Sequence, residues 1–456
     1  MSEVIGKTWS LCPVCLHKLP AERIVEGDNV YLSKECEKHG KFKTLIWRGA
    51  DHYKKLLKFE PGRKGAKVRQ TASKGGCPWD CGLCPGHKQD TCLAVMEITN
   101  RCNLNCRACF ASSGGGYIYE PGIKTIKEMY GMLLKGSKPV CVQISGGEPT
   151  VREDLPEIVS LGKRMGIDYI ELNTNGIRLA EDPEYLRLLK QAGLDALYLS
   201  FDGLSPSVYR KISGANLLSS KKRAVENCAE AGIGVVLVPK IIKDINLDQV
   251  GRIIAFAKKW IPTVKGVHFQ PLSYFGRYPD EPRDDDRVTI PDLLHAIEVQ
   301  TDGEVKADNF IPTSCPDVHC DARCLSILLE DGKLLSLTSL SQSPGPSCTD
   351  IPKTIRESVA SLWKLNPPQR GAPRTAPCKC KAGSWMEVVE RATENYLTIS
   401  TMAFQDVWNI DLERLEKCCI HEVTPDLRLI PFCAFNVTSI SGESPYRHQV
   451  LSKYAK

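Results

Sequence analysis

The chain has 456 residues, 42% hydrophobic and 25% charged, with a formal net charge of +6. That length supports two or three domains with a sizeable core, and the mild charge neither requires nor excludes phosphate or anionic lipid as a partner. No apolar run reaches the roughly twenty residues a spanning helix needs, and "MSEVIGKTWS" lacks the apolar core of a signal peptide. A cytoplasmic protein is therefore expected, with peripheral contact at a membrane surface left open.

The 21 cysteines decide the reading. In a long chain without a signal peptide, clustered cysteines imply metal rather than disulfides. Residues 1–60 read as a small metal ribbon. "CPVC" and "CEKHG" flank a hairpin, "RIVEGDNVYLS", and offer Cys12, Cys15 and Cys36. His39 is either a fourth ligand or a turn residue, and structural zinc and a rubredoxin-like mononuclear iron both suit the set. "PGRKGAKVRQTASKGG" follows as a flexible basic linker. Within the segment 61–92, "CPWDCGLC" supplies Cys77, Cys81 and Cys84, with Cys92 eight residues on. Four thiolates close a cluster and make it a relay or a structural centre; zinc is the other possibility.

Over 93–300 the pattern alternates. "LAVMEIT", "VCVQIS", "DYIELNT", "ALYLSFD", "GVVLVPK" and "GVHFQPL" are near-continuous apolar strands. Amphipathic stretches separate them: "DLPEIVSLGKRMG", "DPEYLRLLKQAG", "SSKKRAVENCAEAG" and "LDQVGRIIAFAKKW". Repeated βα units with such strands predict a parallel α/β sheet buried on both faces. Six strands suit an open, partial barrel, which binds ligands at the carboxyl ends of its strands. Immediately after the first strand, "CNLNCRAC" places Cys102, Cys106 and Cys109 at Cys-x3-Cys-x2-Cys spacing. Compact thiolates of this kind wrap one iron–sulfur cluster and leave one iron open, the mark of a reactive centre.

Residues 301–456 read as an irregular C-terminal metal-bearing domain. "LSILLEDGKLLSLTS" and "CIHEVTPDLRLIPFC" are hairpins; the second carries Asp426-Leu427 where Asp-Gly is expected at the turn. Cys315, Cys320, one or both of Cys418 and Cys419, and Cys433 are the preferred ligand set. Cys324, Cys378 and Cys380 are spare, and Cys141, Cys228 and Cys348 are expected to be ordinary buried residues. No nucleic-acid signature stands out beyond the basic linker.

The cysteine triad, with Phe110 after its last member, resembles the hallmark of the radical S-adenosylmethionine (SAM) superfamily. "SGGEPT" after the second strand, "NTNG" after the third and "SFDG" after the fourth agree in order and placement. The resemblance implies a partial (βα)6 TIM-like barrel. It implies that Gly146, Gly147, Glu148 and Pro149 hold the methionine amino group of the cofactor. Asn173, Asn175, Ser200 and Asp202 complete the site, with Lys240, Asn246 and Gln270 from the last two strand ends. It implies reductive cleavage of S-adenosylmethionine to a 5′-deoxyadenosyl radical, fed by a donor such as ferredoxin or flavodoxin. The flanking cysteine motifs are similar to those of archaeal tetraether lipid synthases, a group also described as pterin-methylating. That similarity implies three 4Fe–4S clusters and one mononuclear metal. It implies hydrogen abstraction from unactivated methyl carbons and coupling of two isoprenoid lipid chains. The alternative it carries is methylation of a soluble substrate such as 7,8-dihydro-6-hydroxymethylpterin. A lipid substrate requires a long apolar tunnel, for which "YIYEPGI", "PLSYFGRYP" and "TISTMAFQDVWNI" are the candidate walls.

Overall fold

The computed structural model describes residues 2–60, 65–114, 116–136, 141–278, 280–313, 315–341 and 395–455. Cys348, Cys378 and Cys380 lie outside the described residues, as does part of the basic linker.

The N-terminal ribbon is a four-stranded antiparallel sheet of β1 (Ser2–Leu11), β2 (Lys18–Glu26), β3 (Asn29–Cys36) and β4 (Gly40–Arg48). The expected hairpin is β2–β3, turned at Gly27 with φ +60°. The six barrel strands fall where the apolar runs place them. They are β5 (Leu93–Glu97), β6 (Cys141–Ser145), β7 (Ile170–Thr174), β8 (Ala196–Ser200), β9 (Gly234–Val238) and, after the two-residue β10 (Lys240–Ile241), β11 (Val264–Pro271).

A short helix α1 (Ala50–Leu56) follows the ribbon, and further helices cover the outer face of the barrel. Before β6, α2 (Ile123–Lys135) buries Ile126, Met129, Tyr130 and Leu133. This i, i+3, i+4, i+7 stripe contributes roughly 2 kcal/mol per fully buried large side chain. Further on, α3 (Leu155–Met165) buries Leu155, Ile158 and Val159 by the same spacing and ends on Gly166 in the left-handed conformation.

Among the described residues, the region after residue 301 forms no sheet of its own. Its strands are β12 (Asp321–Leu328), β13 (Leu334–Ser336), β14 (Tyr396–Met402), β15 (Ile420–Val423) and β16 (Leu429–Pro431). All join the barrel sheet, in the order β13-β12-β14-β11-β9-β8-β7-β6-β5-β15-β16. β14 pairs parallel with β11 and β15 pairs parallel with β5, so two C-terminal strands extend the parallel run at its two ends. The hairpins β12–β13 and β15–β16 cap the run with antiparallel edges.

The ribbon is clamped to residues 407–413 by polar contacts, most of them buried. Arg23 pairs with Asp411 at 2.7 Å and with Glu413 at 2.6 Å. The buried Lys34 ammonium donates to the Val407 carbonyl at 2.9 Å and to Ser10 Oγ at 3.0 Å.

Candidate active site

The triad sits in the loop after β5, and neighbouring strands hold that loop by its backbone. Cys109 and Arg277 exchange two backbone hydrogen bonds, 2.8 and 3.0 Å. The Arg277 guanidinium donates to the carbonyls of Cys106 and Ser113, and Lys240 Nζ donates to the carbonyl of Ala108 at 2.7 Å. Irregular backbone near a cavity must find partners for its carbonyls, and two cations from strand ends supply them. The three thiols stay partly exposed. Three thiols at this spacing fit an iron–sulfur cluster.

The loop after β6 approaches the triad loop more closely than any side chain permits. A Cβ on Gly146 would lie 2.1 Å from the Thr99 carbonyl oxygen, and one on Gly147 would lie 2.2 Å from that of Arg101. Gly147 and Glu148 donate their N–H groups to the same two carbonyls at 2.7 and 2.8 Å. Glu148 is buried, and its carboxylate accepts from Thr150 N, Thr150 Oγ1, Thr174 Oγ1 and Asn175 N. The carboxylate thus ties the ends of β6 and β7 together.

Other sequence-derived positions interlock behind the cavity. Asn175 Nδ2 donates to Asn103 Oδ1 at 2.7 Å, and Asp202 Oδ1 accepts from Lys240 N at 3.0 Å. Asn246 Nδ2 donates to the carbonyls of Asp202 and Lys240. Ser200 Oγ accepts at 2.9 Å from Lys221, on the helix Leu218–Ala231. Lys221 also donates to the Asn175 carbonyl, and burial pushes its ammonium down to about 8. Sequence analysis missed Lys221 because it sits in a run of charged residues that reads as a solvated helix face.

A cavity of about 290 Å³ opens beside the triad. Its wall includes Cys109, Phe110, Asn173, Lys240 and Gln270. Gly146, Gly147, Glu148, Pro149, Asn175, Ser200 and Asp202 are not among the lining residues. Residues from "PLSYFGRYP" and "TISTMAFQDVWNI" line it, among them Leu272, Phe275, Met402 and Phe404. Leu93, Val95, Val238, Ile420 and Phe432 add to this apolar lining, and Gln143, His268, Asp321, Arg323, Thr398 and Ser400 form a polar strip in it. His268 Nδ1 and Ser400 Oγ share a hydrogen bond at 2.8 Å, and burial pulls the imidazole down to about 4.

A buried ion pair joins this site to the C-terminus. Arg447 holds Glu97 at the end of β5 through both guanidinium nitrogens, at 2.8 and 2.5 Å, and lies 5.6 Å from the Phe110 ring centre. Glu422, against Glu97, is pushed well above the usual carboxylate range by burial and by that neighbour.

The remaining cysteines regroup. In the ribbon, Cys15 and Cys36 sulfurs are 4.0 Å apart, and His39 Nδ1 stands 3.5 and 3.4 Å from Cys12 and Cys36. Tetrahedral zinc–thiolate bonds of about 2.3 Å place ligand atoms about 3.8 Å apart, so Cys12, Cys15, Cys36 and His39 fit one mononuclear ion and His39 is more than a turn residue. The expected four-cysteine set Cys77, Cys81, Cys84 and Cys92 is corrected. The Cys92 sulfur lies 3.1 Å from that of Cys315, and these two and Cys419 have sulfurs within 4.8 Å of one another. The register explains it: Cys92 precedes β5 and Cys419 precedes β15, and parallel pairing of Leu93 with Ile420 sets them side by side. The expected set of Cys315, Cys320, Cys418, Cys419 and Cys433 is therefore split. Burial, then the proximity of Cys418 and Cys320, pushes the Cys433 thiol up. Among the first three of the four, burial and then the Cys81 and Cys84 neighbours push the Cys77 thiol up.

With this geometry in place, residues 96–257 match the family model of the Radical SAM superfamily, and residues 4–48 match that of the HMPTM N-terminal zinc ribbon domain. The chain is 39% identical to the 7,8-dihydro-6-hydroxymethylpterin dimethyltransferase of Methanocaldococcus jannaschii, over 98% of this chain and 95% of that protein. The chain belongs to the radical SAM superfamily, in the family of that relative. As a radical SAM enzyme it is expected to use a 4Fe–4S cluster and S-adenosylmethionine. It is also 34% identical to a probable GTP 3′,8-cyclase of Methanococcus maripaludis, over 39% of this chain and 59% of that one. Among solved structures, Streptococcus suis SuiB bound to S-adenosylmethionine has a TM-score of 0.40 at 17% identity, covering 47% of this chain and 48% of that chain. Methylornithine synthase has a TM-score of 0.38 at 16% identity, covering 47% and 64%.

The near full-length relative overturns the expectation of lipid-chain coupling. The match spans the ribbon, the cluster segment and the C-terminal hairpin alike, so those flanking motifs do not single out tetraether synthesis. Among the described residues, no helix is long and apolar enough to cross a membrane.

Proposed function

We propose that this radical SAM enzyme is a methyltransferase acting on a reduced pterin of the 7,8-dihydro-6-hydroxymethylpterin type. The observation that carries this reading is the 39% identity maintained over 98% of the chain to a relative described as a dimethyltransferase of that pterin. The cavity supports it: about 290 Å³ is near the lower end of small-molecule pockets, which run from about 300 to 1,000 Å³. Within a mostly apolar lining, Gln143, His268, Asp321, Arg323, Thr398 and Ser400 offer hydrogen-bond partners to the edge of a heterocycle.

When bound, the cluster and S-adenosylmethionine supply a reductively generated radical that abstracts hydrogen from carbon. The chain's own residues do the positioning. Cys102, Cys106 and Cys109 would hold the cluster, on a loop fixed by Arg277 and Lys240. Phe110, Asn173 and Gln270 would contact the cofactor from the cavity wall. The ribbon set would hold zinc, and a small low-potential carrier such as ferredoxin or flavodoxin would supply electrons.

The reading is tested by expressing the chain in a host that makes the dihydropterin and analysing the cell's pterins by mass spectrometry. Species heavier by one or two methyl groups are expected, and they should vanish with Cys106→Ala. Unmodified pterins, together with no pterin-stimulated cleavage of S-adenosylmethionine by the reconstituted enzyme, would exclude it.

A further inference from the structure

One wall of the cavity was left unassigned by the sequence. Three adjacent strands build it. Parallel register sets His268 of β11 beside Ser400 of β14, and antiparallel register sets Ser400 opposite Arg323 of β12. Asp321 stands two residues before Arg323 and therefore on the same face. Both line the cavity, with Thr398 and Ser400.

Two polar groups on this wall lack partners among the described residues. Thr398 is 5% exposed, and its hydroxyl makes no hydrogen bond. Arg323 Nε is buried and equally unpartnered. A buried donor left unpaired costs about 1–3 kcal/mol. Such groups on residues that line a cavity beside a reactive centre point to a ligand that pairs them. Asp321 is 7% exposed; its two oxygens accept from Thr313 N at 3.1 Å and from Thr313 Oγ1 at 2.5 Å. Each carboxylate oxygen keeps a further acceptor site.

A guanidinium only donates and a carboxylate only accepts. Side by side, they match a ligand edge that carries an acceptor next to donors. We propose that Asp321 and Arg323 read the amino-oxo-pyrimidine edge of a fused heterocycle. Asp321 accepts from the ring N–H and the exocyclic amine, Arg323 donates to the ring carbonyl, and Thr398 completes the wall. This assignment rests on the pterin reading above and adds the residues that select the ring. Guanine nucleotides carry the same edge, so the recognition chemistry is shared and the probe must separate the two.

The test is equilibrium dialysis of the anaerobically reconstituted full chain, with S-adenosylmethionine present. The ligands are 6-hydroxymethylpterin, guanosine triphosphate and 6-hydroxymethyllumazine, in which an oxo group replaces the amine. Wild type should bind the pterin and discriminate against the lumazine. Arg323→Met and Arg323→Lys should each weaken pterin binding by about ten- to a hundredfold, with iron content and S-adenosylmethionine binding unchanged. Asp321→Asn should shift preference toward the lumazine, because a carboxamide donates where a carboxylate accepts. Asp321 adjoins Cys320, so if its variant loses iron the two Arg323 variants decide. Unchanged pterin affinity in the Arg323 variants overturns the assignment while the pterin reading stands. Guanosine triphosphate bound through Arg323, with no pterin binding, overturns the pterin reading and keeps the edge assignment. Binding of none of the three overturns both.

Discussion

Gly147 shows how little room a single position has. Its two contacts with the triad loop are a backbone hydrogen bond and a carbonyl oxygen 2.2 Å from where a Cβ would stand. Gly147→Ala must move one loop against the other, and overpacking of this kind costs about 1–3 kcal/mol. The expected outcome is a lower melting temperature and fewer irons per chain, read by calorimetry and iron assay. Lys221 carries a different signature. Burial holds its ammonium at about 8 in the folded chain, against about 10.4 when unfolded. Between these values the unfolded chain binds more protons, so this residue raises stability as pH rises, by up to about 1.4 kcal/mol per unit. Melting temperatures at pH 7.5 and 9.5 should therefore diverge in favour of wild type over Lys221→Met. An unchanged difference would show that the ammonium is not desolvated.

At the scale of elements, the β15–β16 hairpin departs from its expected turn. Leu427 adopts φ +63°, and its N–H bonds to the Thr424 carbonyl at 2.9 Å. A side chain in this left-handed region costs roughly 1–2 kcal/mol relative to its ordinary conformations. Leu427→Gly should relieve that strain, offset in part by the freedom glycine gains when unfolded. A rise in melting temperature equivalent to about 0.5–1 kcal/mol is expected; a fall would mean that Leu427 packs more usefully than its 39% exposure suggests. Helix α2 makes the opposite point about legibility. Its stripe of Ile126, Met129, Tyr130 and Leu133 has helical spacing in the sequence, although the helices read there begin only after the second strand.

At the scale of the whole molecule, the C-terminus is part of the barrel. Arg447 compensates Glu97 beneath the triad loop, and Asn436 Oδ1 accepts from the same guanidinium. Arg447→Met leaves Glu97 beside Glu422, both almost fully buried. Removing one partner of a buried pair costs about 3–5 kcal/mol. The melting temperature should fall markedly, and Glu97→Gln in the same chain should recover part of the loss by removing the stranded charge. Full stability in the single variant would mean that water reaches the carboxylates.

The sequence by itself determined the parallel barrel, because near-continuous apolar strands alternating with amphipathic helices permit little else. It placed Cys102, Cys106 and Cys109 together in one loop, because spacing within a loop is local. Only the tertiary structure decided which distant thiols meet: strand register set Cys92 beside Cys419. It also decided that β12 and β14 bring Asp321, Arg323 and Thr398 to the cavity. Residues far apart in the chain become one wall only through pairing, and pairing across long separations leaves no local pattern to read.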